Sequence, residues 1–90
     1  LRSHVNSASS RISAKENELQ RVKDEIRSNE ARLIDEETTT QDRILLLADL
    51  KDLSERTGQL EAEIRDLYDE RARHEVELQN YQASMTAYGY

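Results

Sequence analysis

Large apolar residues recur along this chain at alternating intervals of three and four positions. In the first half one position recurs every seven residues and a second follows it by three, as seen at Val5, Ala8, Ile12, Leu19, Val22, Ile26 and Leu33. The second half repeats the pattern at Leu46, Leu50, Leu53, Leu60, Ile64, Leu67, Leu78, Tyr81, Met85 and Tyr88. So narrow a stripe is typical of a coiled-coil seam, because a globular helix presents a broader apolar face. The pattern predicts an all-α chain whose stripe is covered by another helix.

The two halves do not share one heptad frame. Continued forward, the first frame (11–37) predicts seam positions at Leu47 and Leu50, whereas the second frame (50–88) follows Leu46, Leu50 and Leu53. The frames differ by three residues, which predicts a stammer within 38–50, with the heptad phase break near 40–50. The apolar run at 44–50 has an alternative interpretation as a small docking patch or as a higher-order bundle core.

Few residues interrupt the helical pattern. Gly58 is the single interior glycine, and it costs about 1 kcal/mol relative to Ala in a helix. Thr38, Thr39 and Thr40 are β-branched and weaken a helix, but no Gly, Pro or Asn accompanies them to favour a tight reversal. The sequence therefore predicts one long continuous helix. A hairpin that folds at Thr38–Gln41 is the alternative.

This prediction divides the chain into three parts. Residues 1–10 form a Ser-rich lead-in that is expected to fray, residues 11–88 form the rod, and residues 89–90 are a tail.

Charges beside the seam favour a parallel, two-stranded arrangement. Across a parallel dimer most flanking pairs attract, although each exposed pair contributes only about 0.2–1 kcal/mol. The predicted partner is thus a second copy of the chain, in a homodimer able to assemble further into a filament. The predicted dimer seam consists of Ile12, Leu19, Val22, Ile26, Leu33, Leu46, Leu50, Leu53, Leu60, Ile64, Leu67, Leu78, Tyr81, Met85 and Tyr88.

Polar residues interrupt the seam at intervals. They are Lys15, Asn29, Glu36, Arg43, Thr57, Arg71 and His74, of which Asn29, Arg43, Arg71 and His74 are the principal polar layers. Polar seam residues lower stability but fix the register, because a slipped pairing would bury them differently. The alternative is that a long rod tolerates them because their stems reach out to water.

The composition argues against several classes of function. Charged residues make up 36% of the chain, aromatic residues 4%, and the net charge is −6. An acidic chain does not suit binding to nucleic acid phosphates or to an anionic membrane surface, and no apolar run is long enough for membrane insertion. Because Cys is absent, a reducing compartment is expected, and we predict a cytoplasmic, cytoskeletal location.

The sequence offers no catalytic, cofactor or metal site. The two histidines, His4 and His74, are seventy positions apart without metal-ligand spacing. Carboxylates are frequent, but general acid–base catalysis requires a pocket that shifts their pKa, which a single rod lacks. We therefore predict a non-enzymatic protein that needs no cofactor.

The seam, the phase break and the polar layers together resemble the rods of intermediate filaments, including bacterial crescentin-like filaments. The resemblance implies a parallel dimer that associates into filaments, and thus a structural rod that mediates dimerisation and scaffold assembly. The alternative function is a stalk or docking coiled coil of a tether, motor adaptor or chromosome-organising protein. Off-seam apolar residues favour that alternative, namely Ile34, Leu45, Tyr68 and Val76.

Overall fold

The computed structural model describes residues 2–87, including the side chains of residues 3–85. It contains two helices, α1 (Arg2–Leu33) and α2 (Thr40–Ala87), and no strand within the described residues. The molecule is elongated, with principal extents of 74 × 14 × 14 Å. The prediction of an all-α chain is confirmed. Tyr88 and the predicted tail at 89–90 lie outside the described residues.

The prediction of one continuous helix is wrong. The chain leaves α1 after Leu33, reverses direction, and enters α2 at Thr40. The hydroxyl of Thr38 donates a hydrogen bond to the carbonyl oxygen of Arg32 at 2.6 Å, and the Thr38 amide donates to the carbonyl of Asp35 at 3.1 Å. The first bond satisfies a backbone acceptor in the last turn of α1, and the second closes the turn that follows it. The hairpin alternative at Thr38–Gln41 was therefore close to the observed turn.

Side chains also define the start of α2. The Thr39 hydroxyl accepts a hydrogen bond from the Asp42 amide at 3.1 Å, which is the geometry of an N-cap. A carboxylate oxygen of Asp35 accepts from the Glu37 amide at 2.9 Å, and the Arg43 guanidinium donates to the Asp35 carbonyl at 3.1 Å. The turn thus needs no Gly or Pro, because Thr and Asp side chains supply its hydrogen bonds.

The two helices lie antiparallel. Lys15 pairs with Glu63 at 2.8 Å and Arg11 with Glu70 at 3.0 Å, and the rings of His4 and His74 have centroids 4.9 Å apart. These contacts give a register in which the two residue numbers of a facing pair add up to about 79.

This register explains the two heptad frames. The first frame steps along α1 by three and then four residues, and the second frame, read backwards along α2, takes the same steps in the same order. With the sum of 79, every seam position from Val5 to Leu33 therefore lies opposite a seam position between His74 and Leu46. Because the two frames lie on different helices, their three-residue offset requires no local overwinding. The predicted phase-break region instead contains the end of the turn and the first turns of α2.

The Ser-rich lead-in takes part in this pairing. Its described residues belong to α1, and Ala8 is completely buried. A small side chain at this position allows α1 to approach α2 closely near the open end of the hairpin.

Candidate functional site

The seam between α1 and α2 contains the buried apolar residues of the described hairpin. Four of its layers are apolar on both sides, and they repeat every seven residues: Ile12 with Leu67, Leu19 with Leu60, Ile26 with Leu53, and Leu33 with Leu46. Ile12, Leu46 and Leu60 are buried, whereas the other members of these layers are half-buried. Between Ile12 and Leu67, the stripe predicted as a dimer seam thus lies in the interface between two helices of one chain.

Three layers between these four, and two more toward the open end, each combine one polar and one apolar residue. The register places Lys15 opposite Ile64, Asn29 opposite Leu50, Thr57 opposite Val22, Arg71 opposite Ala8, and His74 opposite Val5. The long stems of Lys15 and Arg71 allow their charged ends to leave the seam, whereas the Thr57 hydroxyl donates to the Leu53 carbonyl of its own helix at 2.9 Å. The Lys15 ammonium reaches Glu63, and the Arg71 guanidinium lies 3.8 Å from Glu75.

Two predicted polar layers fall at the turn. Glu36 is an exposed turn residue, and Arg43 is half-buried with its guanidinium bound to the Asp35 carbonyl. Arg43 therefore ties the turn to α2 instead of forming a layer within the coiled coil.

Ion pairs bridge the helices beside the seam. The Arg56 guanidinium donates to the Glu18 carboxylate at 2.5 Å, and this hydrogen bond lowers the pKa of Glu18 and raises the pKa of Arg56. The Arg11 guanidinium likewise donates to Glu70 at 3.0 Å and lowers the pKa of that carboxyl. Both carboxylates are therefore held in their charged form on an open surface, where each pair is screened by water.

Tyr68 contributes a third cross-helix contact. Its hydroxyl donates to the Glu16 carboxylate at 2.7 Å, and this bond raises the pKa of the phenol. The Arg71 guanidinium lies 4.8 Å from the centre of the Tyr68 ring, within the range of a cation–π interaction. Tyr68, which the sequence suggested as an exposed docking residue, is therefore partly engaged within the hairpin.

The fold brings together two histidines that are far apart in sequence. The His4 and His74 rings are 4.9 Å apart, and His74 also lies 3.8 Å from Glu70 and 3.5 Å from Glu77. Sequence spacing alone could not reveal this proximity, because only the antiparallel register creates it. Nevertheless, the described residues contain no group of three or more His, Cys, Asp or Glu side chains arranged to hold a metal ion.

Three predicted seam residues lie on α2 past the last layer. Leu78 is half-buried, while Tyr81 and Met85 are 56% and 51% exposed. Tyr88 lies outside the described residues. Within the described part of the chain, no helix is both long enough and apolar enough to cross a bilayer.

Other apolar side chains lie outside the seam. They gather mainly around the turn and the first turns of α2, where Ile34, Ile44, Leu45 and Leu47 are all exposed. Val76 is also exposed, close to the open end of the hairpin. Acidic residues surround the turn, and a shallow groove beside it is lined by Glu25, Asn29, Asp49, Asp52 and Leu53.

No protein-family profile, no curated protein and no solved structure significantly matches this chain.

Proposed function

We propose that this chain is a non-catalytic structural rod, a helical hairpin that holds the part of a scaffold bound at its turn at a fixed distance from the part at its open end. The observation that carries the proposal is the unbroken series of matched layers between Val5 and Leu33 on α1 and their partners on α2. A continuous seam between two long helices stiffens them along their length, whereas a globular domain would build a three-dimensional core.

The lowered pKa values of two carboxylates that pair across the helices support a structural function. The pKa values of Glu18 and Glu70 are lowered by their arginine partners, whereas a general acid at neutral pH needs a raised pKa. Both side chains lie on an open surface and not in a pocket that excludes water. Their arrangement suits cross-helix pairing that favours the antiparallel register.

The mixed layers favour the hairpin over a parallel dimer as the unit of assembly. In a parallel, in-register dimer Lys15 and Arg71 would each face their own copy, and like charges would meet within the seam. In the hairpin each of them lies opposite an apolar side chain. A dimer that used the same stripe would have to displace the pairing within the chain. Filament assembly and a cytoplasmic location remain predictions from the sequence that this proposal accommodates.

Paired cysteines test the topology. In Ile12→Cys/Leu67→Cys the two thiols belong to one layer, so mild oxidation should yield a monomer with an internal disulfide. The matched control is Ile12→Cys/Leu53→Cys, whose positions belong to different layers and should not pair within the chain. A disulfide-linked dimer from Ile12→Cys alone, formed as fast as the internal bond, would support the parallel dimer instead.

A matched deletion tests the spacing function. Residues 19–25 and 54–60 lie opposite each other, so their joint removal shortens both helices by one heptad and preserves the register. The rod should become about 10 Å shorter and remain helical, as measured by small-angle X-ray scattering and circular dichroism. Removal of residues 19–23 alone is the control, because five residues are not a whole heptad and their loss turns the seam residues of α1 between the deletion and the open end away from α2. Within the intact parent protein, the joint deletion should leave the hairpin folded. It should nevertheless impair the function that depends on the distance between the turn and the open end. Full function at the shorter length would contradict the proposal.

The docking alternative is favoured by one observation, the exposure of Leu45 and Val76 away from the seam. Its test is the joint variant Leu45→Glu/Val76→Glu. If this variant loses a stoichiometric partner but keeps its hairpin, docking takes precedence over spacing as the main function.

A further inference from the structure

The turn end of the hairpin carries apolar side chains that neither helix covers. Ile34, Ile44, Leu45 and Leu47 are 82%, 62%, 59% and 55% exposed. Because Leu46 lies between them in the seam, the second turn of α2 (44–47) carries apolar side chains on nearly every side. A helix that is apolar all round is normally enclosed by other structure, which here must come from outside the described hairpin.

One side of this surface is bordered by acidic residues. Leu45 has Asp42 three positions before it and Asp49 four positions after it, which places all three on the same side of α2. Asp49 and Asp52 also line the shallow groove between the helices, together with Glu25 from α1. The exposed leucine thus lies next to a groove in which three of the five lining residues are acidic.

The excess negative charge of the chain is concentrated in the same region. Residues 30–52 contain seven acidic and three basic residues, a net charge of −4 out of −6 for the whole chain. One of the three basic residues, Arg43, is already bound to the turn through the Asp35 carbonyl. The turn end therefore combines an exposed apolar surface with a strongly negative border.

We propose that this turn end is a docking surface for a basic amphipathic helix of another protein. Its apolar side chains would pack on Ile44, Leu45 and Ala48, and its Lys or Arg side chains would reach the carboxylates of the groove. Helices dock in this way when apolar anchors meet an apolar surface and complementary charges fix their orientation. A second copy of this chain would bring a like-charged border, and an anionic membrane surface would be repelled. The proposal goes beyond the spacing function and does not depend on it.

The binding test uses a defined probe and the intact chain. The probe is a fluorescently labelled, 18-residue amphipathic peptide with leucines along one face and lysines elsewhere. One control peptide has the same composition in scrambled order, and a second carries glutamates in place of the lysines. Fluorescence anisotropy should show binding of the probe at least about tenfold tighter than of either control, a difference of about 1.4 kcal/mol.

Matched variants locate the apolar part of the surface. Leu45→Gln should weaken binding of the probe about tenfold, because the exposed part of this leucine would be buried in the complex. Met85→Gln is the control, since Met85 is 51% exposed but lies near the other end of the hairpin. It should change the affinity less than about twofold, which is within the usual effect of a peripheral contact. Circular dichroism confirms that both variants keep their helices.

A second pair of variants locates the charged part. Glu25→Gln/Asp49→Asn/Asp52→Asn neutralises the acidic groove and should weaken binding about fivefold at low salt, with a shallower dependence on salt. The control, Glu61→Gln/Asp66→Asn/Asp69→Asn, removes the same net charge from an exposed part of α2 away from the turn. Its loss of affinity, expressed as a logarithm, should be less than half that of the groove variant.

Three results would overturn the proposal. Equal losses in each variant and its control would mean that the peptide binds the acidic rod without a defined surface. A concentration-dependent dimer that Leu45→Gln abolishes would assign the surface to a second copy. Binding to phosphatidylserine-containing vesicles that Leu45→Gln abolishes would assign it to a membrane. None of these results bears on the cysteine cross-link or the matched deletion, so the docking surface and the spacing function fail separately.

Discussion

Leu60→Ala and Leu45→Ala make the same chemical change at two positions on α2 that differ in burial. Leu60 is completely buried in the layer with Leu19, whereas Leu45 is 59% exposed. Truncation of a buried leucine in a protein core costs about 2–5 kcal/mol. The open edges of a two-helix seam allow partial collapse, so we expect about 2–3 kcal/mol for Leu60→Ala. Leu45→Ala should cost roughly 1 kcal/mol, because only its covered part contributes.

Urea unfolding followed by circular dichroism measures this difference. With a slope near 1 kcal/mol per molar urea, as expected for a small protein, Leu60→Ala should lower the midpoint by about 2–3 M and Leu45→Ala by about 1 M or less. The change in intrinsic helix propensity is common to both variants, so it cancels in the comparison.

Protein concentration provides a separate measurement in the same assay. A hairpin that closes within one chain unfolds at a midpoint independent of concentration, whereas a dimer becomes more stable as concentration rises. Leu60 would be buried in either arrangement, so the concentration series decides between them. Equal costs for the two leucines would refute the assignment of the seam, and a midpoint that rises with concentration would refute the intramolecular pairing.

Three further predictions concern single features of the hairpin. Gly58→Ala should stabilise the protein by about 0.5–1 kcal/mol in thermal melts, because Gly58 lies inside α2 and an added Cβ meets nothing within 4 Å. Thr39→Ala should cost about 1 kcal/mol through loss of the N-cap and should speed amide exchange at Asp42, while Thr40→Ala should not. The lowered pKa values of Glu18 and Glu70 mean that their stabilisation is present above the unfolded carboxyl pKa and is lost as pH falls through the folded pKa. The melting temperature should therefore drop between about pH 5 and pH 3, and it should drop less in Glu18→Gln/Glu70→Gln.

The helical content and the buried positions of the seam in the paired part of the hairpin could be predicted from the sequence, because both follow from local periodicity. Ile12, Leu46 and Leu60 were assigned to the seam from their spacing, and all three are buried. The identity of the helix that covers them could not be predicted in the same way. Heptad spacing requires only that some neighbouring helix is present, and a helix of the same chain satisfies that requirement as well as a second copy does.

The turn escaped prediction for a different reason. The absence of Gly, Pro and Asn argued against a reversal, yet Thr38 and Thr39 provide the necessary hydrogen bonds through their side chains. Thr38 caps the end of α1 and Thr39 caps the start of α2, so adjacent β-branched residues have separate functions. The offset between the two heptad frames was the signal that could have indicated the hairpin, since an antiparallel return reverses the order of three- and four-residue steps.

The polar seam residues make the observed register distinct from its nearest competitors. If α2 slid by one heptad in one direction, Lys15 would face Arg71, and two cations would meet in the seam. A slide by one heptad in the other direction would place Asn29 opposite Arg43. In the observed register, by contrast, every polar residue within the coiled coil faces an apolar one, and the four fully apolar layers alternate with the mixed ones. The mixed layers therefore lower the stability of the hairpin slightly but lower that of each slipped pairing more, which is how polar seam positions specify a single alignment.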